Sequence, residues 1–214
     1  MTTALEWSGR TLMGGGALAA ITNGVLTPLL PHGSAFAELA SSTVFRVRMS
    51  LATVVTLCLV VGCIGLCIVH VKRMKVLGAI SFLLALLGSA AAFAHEWAQI
   101  FYIHHIALTA PQALNLMENV NRPNLFDAEA AIALGGLTLG WSAFCAYMLS
   151  ARVVGRTGPS LVLASVLALP LLAVAAPIMG QVVGAIGLAA GWCRLGWDIS
   201  RLARAHAPAR TTDA

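Results

Sequence analysis

From Val76 to Ala94 the chain reads VLGAISFLLALLGSAAAFA, nineteen residues without a charge. At 1.5 Å per residue such a run makes a helix about 28 Å long, close to the roughly 30 Å hydrocarbon thickness of a bilayer. A second uncharged run, MSLATVVTLCLVVGCIGLCIV, occupies residues 49–69, and further apolar stretches follow with no room between them for a soluble domain of ordinary size. Hydrophobic residues make up 59% of the 214 and charged residues 10%, with mean hydropathy +0.87. Soluble domains carry roughly 25% charged residues, so this composition excludes one. The expected class is all-α, a polytopic membrane helix bundle.

Candidate spans fall at 12–31, 50–70, 76–94, 130–150, 160–177 and 178–197. The last two divide one apolar stretch at Pro177 and Gly180; it is too long for one crossing, so a helical hairpin is favoured over a broken helix with a shorter excursion. Positive charge tests the count independently. If the loop holding Lys72, Arg73 and Lys75 is cytoplasmic, six alternating crossings place Arg10, Arg152, Arg156, Arg194, Arg201, Arg204 and Arg210 on the same side and only Arg46, Arg48 and Arg122 outside. That asymmetry is what positive-inside orientation produces, and five crossings would reverse it for the arginine-rich end. The sequence therefore predicts one six-helix domain over 1–214 in a bacterial inner (plasma) membrane, both termini cytoplasmic, with an outer interfacial segment at 95–127 and a basic tail at 198–214. Ala35–Ala37 reads like a signal-peptidase site, but Glu6 and Trp7 ahead of the apolar run and Asn23 and Pro28 within it favour keeping the first helix in the mature chain.

The net charge of +5 sits in clusters at the ends of apolar runs, where it sets orientation, so no nucleic-acid partner is implied. Cys58, Cys63, Cys67, Cys145 and Cys193 lie within apolar runs with no CxxC spacing and read as small buried hydrophobes. Helices in lipid associate through small residues that let backbones approach. Gly180, Gly184, Gly187 and Gly191 mark such a face on the last span, Ala85, Gly88 and Ala92 on the third, and Gly136 and Gly140 on the fourth. Gly184, Gly187 and Gly191 are also the expected contact of a homo-oligomer.

Polar residues concentrate at the outer boundary. HEWAQIFYIHH, residues 95–105, ends the third span, and His32, Glu38, Glu118, Asp127 and Glu129 fall on the same side. The segment after His95 is expected to continue as helix, break at Ala110-Pro111 and restart on Pro111. Glu96, His104 and His95 are the candidate acid–base residues, because desolvation and a neighbouring imidazole tune a carboxyl at a membrane boundary. Trp97, Tyr102, Gln99 and Asn23 are the candidate substrate contacts, the two rings also reading as an aromatic belt at headgroup level. A solvated, aromatic-rich headgroup rim is the competing explanation of the whole stretch. On one helix His95 and His104 stand nine residues apart and half a turn out of phase, so they cannot share a metal without a bend at 97–103 or His32 from the first loop. A haem would need His32 opposite His95, His104 or His105. Neither a metal nor a cofactor is assigned.

Two stretches, ASSTVFRVRMSLATVVTLCLVVGCIGLCIV and LGWSAFCAYMLSARVVGRTGPSLVLASVLAL, resemble an uncharacterised family of six-helix bacterial membrane proteins and together cover about a third of the chain. The resemblance implies a six-helix bundle and supplies no activity or site residues; the histidine-rich exit of the third span departs from it. The leading functional expectation is a membrane protein that binds or transforms a hydrophobic small molecule (isoprenoid, polyketide or lipid-like) at the outer Glu/His/aromatic cluster. The alternatives are a non-catalytic partner, immunity or assembly protein acting through its glycine faces, a site for metal or haem, and a transporter, which the lack of an internal repeat and of a deeply buried charge disfavours.

Overall fold

The long helices Thr43–His70, Leu125–Ala151 and Thr157–Ala175 end where the sequence inserts a proline or a basic turn. A computed structural model describes residues 2–117 and 125–205. Helix α1 (Thr2–Ile21) runs on through a π-helical turn, Thr22–Leu26, and a 3-10 turn, Thr27–Leu29. Short α2 (Phe36–Ser41) leads to α3 (Thr43–His70), whose first turn is capped by the Ser42 hydroxyl accepting from the Phe45 amide at 3.1 Å. After the basic turn comes α4 (Val76–Ala98), prolonged by a π-helical turn, Gln99–Ile103, into α5 (His104–Thr109). Then follow α6 (Pro111–Met117), α7 (Leu125–Ala151), α8 (Thr157–Ala175) and α9 (Pro177–Ala205). Both α6 and α9 begin on a proline, where the missing N–H costs nothing, after an alanine that leaves helical geometry (Ala110 φ −146°, Ala176 φ −151°).

Among the described residues, five helical stretches are long and apolar enough to cross a membrane: Thr3–Leu29, Thr43–Arg73, Val76–Thr109, Ala128–Ala151 and Ile178–Ala205; Thr157–Leu169 is a shorter apolar helix. The six principal helices close a ring in chain order. Each packs on its neighbours in sequence, and α9 returns to α1. Glycines show that the neighbours run antiparallel. Gly9 and Gly16 of α1 face Gly196 and Ala189 of α9; Gly62 and Gly65 of α3 face Leu12 and Ser8; Gly88 and Gly140 bring the α4 and α7 backbones into contact. The central core is filled by Leu12, Leu59, Leu66, Trp141, Phe144, Trp192 and Leu195, with the Trp141 indole N–H donating to the Ser89 hydroxyl at 3.0 Å.

The glycine face of the last span is engaged within the chain. Gly184 sits against Leu169, Gly187 against Ser165 and Gly191 against Val162, all on α8 of the same chain. These glycines close the α8–α9 hairpin, so the backbone approach they permit is used within the chain. Helix α9 continues through Ala205, with Asp198, Ile199 and Ser200 buried. His206, Arg210, Glu118 and Arg122 lie outside the described residues.

Asp198 holds the α7–α8 turn. Arg152, just past the end of α7, takes φ 53°, and three residues later the Gly155 amide donates to Asp198 Oδ2 at 3.0 Å. Arg194 approaches the other oxygen at 3.5 Å. Asp198→Ala removes the charge-assisted hydrogen bond by which a buried carboxylate holds the exposed turn, at an expected cost of about 2 kcal/mol. Thermal unfolding of the detergent-purified variant checks this; an unchanged midpoint would show that the turn needs no anchor.

Candidate functional site

The outer end of the bundle is built on the two π-helical turns. In α1 the Thr22 hydroxyl donates back to Leu18 O at 2.8 Å and the Asn23 amide to Ala19 O at 3.0 Å, the kind of local back-bonding that competes with the helical ladder. In the α4 extension, the buried residues His95, Gln99, Ile103 and Ala107 recur at steps of four. In a straight α-helix that stripe would drift by about 40° per step, and the wider turn keeps it facing the bundle. Single π-helical turns are found frequently at functional sites.

Between the two turns stands Arg48, near the start of α3. Its Nε donates to Thr27 Oγ1 at 2.9 Å and its Nη2 to Asn23 Oδ1 at 3.2 Å. On the other side Glu96 lies within electrostatic reach of Arg48, His95 and Glu129, and its half-buried carboxylate closes no direct ion pair among the described residues. His95 Nδ1 donates to Glu129 Oε2 at 2.7 Å, and the Gln99 amide donates to His95 Nε2 at 3.2 Å. Both contacts are satisfied by the tautomer with its proton on Nδ1. Gln99 Oε1 is buried with no hydrogen-bond partner among the described residues.

These groups share one height. Arg48 precedes the end of α3 at His70 by 22 residues, Glu96 follows Val76 by 20, and Glu129 precedes Ala151 by 22. Each is therefore about 30 Å from the end that carries the basic turn, roughly one hydrocarbon thickness. Above this layer α2, α5 and α6 form a small lid with its own core of Ala40, Phe45, Met49, Ile103, Ala107 and Leu114.

The residues expected from the sequence divide into two groups. Glu96, His95, Gln99 and Asn23 are brought into the layer. His104 is in the lid, where its buried Nδ1 donates to Ala40 O at 2.7 Å, and it is not among the groups within reach of Glu96. His32 folds back onto its own turn, Nε2 to Thr27 O at 2.9 Å. Trp97 and Tyr102 face outward, 46% and 64% exposed, with the Trp97 ring tilted 33° against Phe101 at a centroid distance of 4.3 Å. They form an external aromatic patch at the level of the layer, as belt residues do. Among the described residues no three His, Cys, Asp or Glu side chains converge as metal ligands do.

Arg48, Thr27 and Glu129 complete the layer and escaped sequence reasoning as site residues. Arg48 reads from sequence as an orientation signal; in the fold it bridges α3 to the extension of α1. Counting residues from the basic turns would have placed Arg48 and Glu129 at the height of Glu96.

Compared with known protein families, with curated proteins and with solved structures, the chain matches none.

Proposed function

We propose that this chain is a multi-pass membrane protein of the bacterial inner membrane that binds a hydrophobic small molecule bearing a polar end, and that the polar end meets the Asn23, Arg48, Glu96, His95 and Glu129 layer. The observation that carries the reading is the convergence of these groups from α1, α3, α4 and α7 at one height, with the Glu96 carboxylate left without a bonded partner among the described residues, beside Arg48. An apolar ring of helices below and a polar layer above suit an amphiphile of the isoprenoid, polyketide or lipid class. Glu96 is the group available to give or take a proton, and the His95–Glu129 pair is a route by which that proton is passed on. No cofactor is assigned.

The proposal includes six crossings with both termini cytoplasmic. Its support is the ring itself: α8 packs between α7 and α9, runs antiparallel to α9, and its 19 residues extend about 28 Å. The exposed cations Arg10, Lys72, Arg73, Lys75, Arg152 and Arg156 gather at the end opposite the polar layer, as positive-inside orientation requires. The likeness to the uncharacterised six-helix family belongs to the same proposal.

Mass spectrometry of small molecules extracted from the full-length protein, purified in mild detergent, tests the reading. An amphiphile retained in near-stoichiometric amount is expected, with Glu96→Gln lowering its retention or conversion by about tenfold, worth about 1.4 kcal/mol, while the thermal midpoint holds. Wild-type protein that carries no such molecule, or a variant that handles it unchanged, refutes the proposal.

A further inference from the structure

At the opposite end of the bundle, α4 and α7 leave a groove of about 390 Å³ between them, lined by Leu77, Ile80, Ser81, Ala143, Ala146 and Tyr147. Its walls are apolar and its hydroxyls are mostly spoken for: Ser81 Oγ donates to Gly78 O at 2.9 Å, and Ser150, at the inner end, to Tyr147 O at 2.7 Å. Small residues create the space. Ala143 and Ala146 leave the α7 wall low, and Gly78 lets the Tyr147 ring lie against α4, because a Cβ there would meet ring atoms at 2.7 Å. The flank is wide open, with Leu77 79% exposed.

The groove ends under a concentration of positive charge. Lys75 directly precedes α4, and Lys72 and Arg73 form the turn before it; Arg152 follows α7, and all four are exposed. Arg73 ties the two sides together, its Nη1 donating to Ala151 O at 3.2 Å across the groove's inner mouth. The carboxylates described at this end are already engaged, Glu6 with Arg10 and Asp198 with Arg194. The positive charge at the mouth therefore has no internal counter-ion among the described residues.

We infer that this is a binding site for an anionic phospholipid of the inner leaflet, one acyl chain in the α4–α7 groove and the phosphate among Lys72, Lys75 and Arg152. Basic pockets between membrane helices on the cytoplasmic side attract anionic headgroups, each nearby cation adding attraction that falls off within a Debye length. A free phosphate would find the cations but leave the groove empty; a zwitterionic lipid would fill the groove but gain nothing at the mouth.

The test is native mass spectrometry of the full-length chain, delipidated in detergent and titrated with phosphatidylglycerol or with phosphatidylcholine of the same acyl chains. Phosphatidylglycerol is expected to be retained at concentrations at least about tenfold lower, a difference of about 1.4 kcal/mol. Lys72→Gln combined with Lys75→Gln removes the preference, and Ala146→Leu, which fills the groove, lowers retention of both lipids. Thermal unfolding without lipid establishes that the variants are folded, and the two exposed lysine positions keep the test valid if Ala146→Leu is not. Equal retention of the two lipids overturns the inference, as does a preference unchanged by the lysine substitutions, or competition by glycerol phosphate as effective as by the lipid. Glu96→Gln, whose thermal midpoint is expected to hold, alters retention at the outer layer and not the lipid preference here, so failure at the outer layer and failure here are separable.

Discussion

Gly88→Leu is expected to disrupt the α4–α7 pair and lower stability by about 3 kcal/mol or more, while Gly135→Leu leaves the protein nearly as stable as before. The difference is in what a side chain meets. A Cβ on Gly88 falls on the backbone of Gly136 and Leu137, which no rotamer change can move aside, whereas one on Gly135 meets nothing within 4 Å. Gly140 makes the same kind of contact one helical level away, against the backbone of Leu84 and Ala85. The two glycines thus set the distance between the helices that carry His95 and Glu129, and that distance lets the 2.7 Å bond between them form. Fluorescence-detected size exclusion and thermal midpoints in detergent distinguish the variants. Equal stability of Gly88→Leu and Gly135→Leu would show that α4 and α7 do not meet backbone to backbone.

Arg48→Met is the second large effect, an expected loss of about 3 kcal/mol together with loss of the retained amphiphile. The guanidinium satisfies Thr27 Oγ1 and Asn23 Oδ1 and is the cation facing Glu96. Removing it strands two acceptors and leaves a half-buried carboxylate with less compensation, and breaking a charge-assisted network in this way costs more than the individual bonds suggest. Arg48→Lys keeps the charge but not the fork that reaches two acceptors at once, so it is expected to fall between wild type and Arg48→Met in both stability and retention. A variant Arg48→Met with wild-type midpoint and wild-type ligand content would remove Arg48 from the site.

Much of the architecture is legible in the linear chain because its causes are local. The uncharged run from Val76 predicts α4; Pro111 and Pro177 mark helix starts because proline lacks the N–H that a helix interior needs. The site is less legible. Glu96, His95, Gln99 and Asn23 stand out as polar residues at the rim of apolar runs, and the fold gathers them. His104 stands out equally and goes to the lid, because it lies eight residues beyond Glu96 on the same helical run, about 12 Å further along the axis. Nothing in the sequence at 99–103 announces the π-helical turn there.

Glycine faces show the same division. Their spacing on the last span is plain in the sequence, but spacing names a surface and not the surface it meets, and the ring assigns Gly184, Gly187 and Gly191 to α8 of the same chain. Composition and periodicity by themselves determined that this chain is a helical object suited to a bilayer, because burial of apolar side chains and satisfaction of backbone polar groups leave few alternatives. Only the tertiary structure decided that Arg48 bridges to Asn23 and Thr27, that Glu129 meets His95 across 34 residues, and that a groove opens beneath the basic turn. Those pairings depend on the order and separation of helices around the ring, which are set by backbone contacts between residues far apart in the chain.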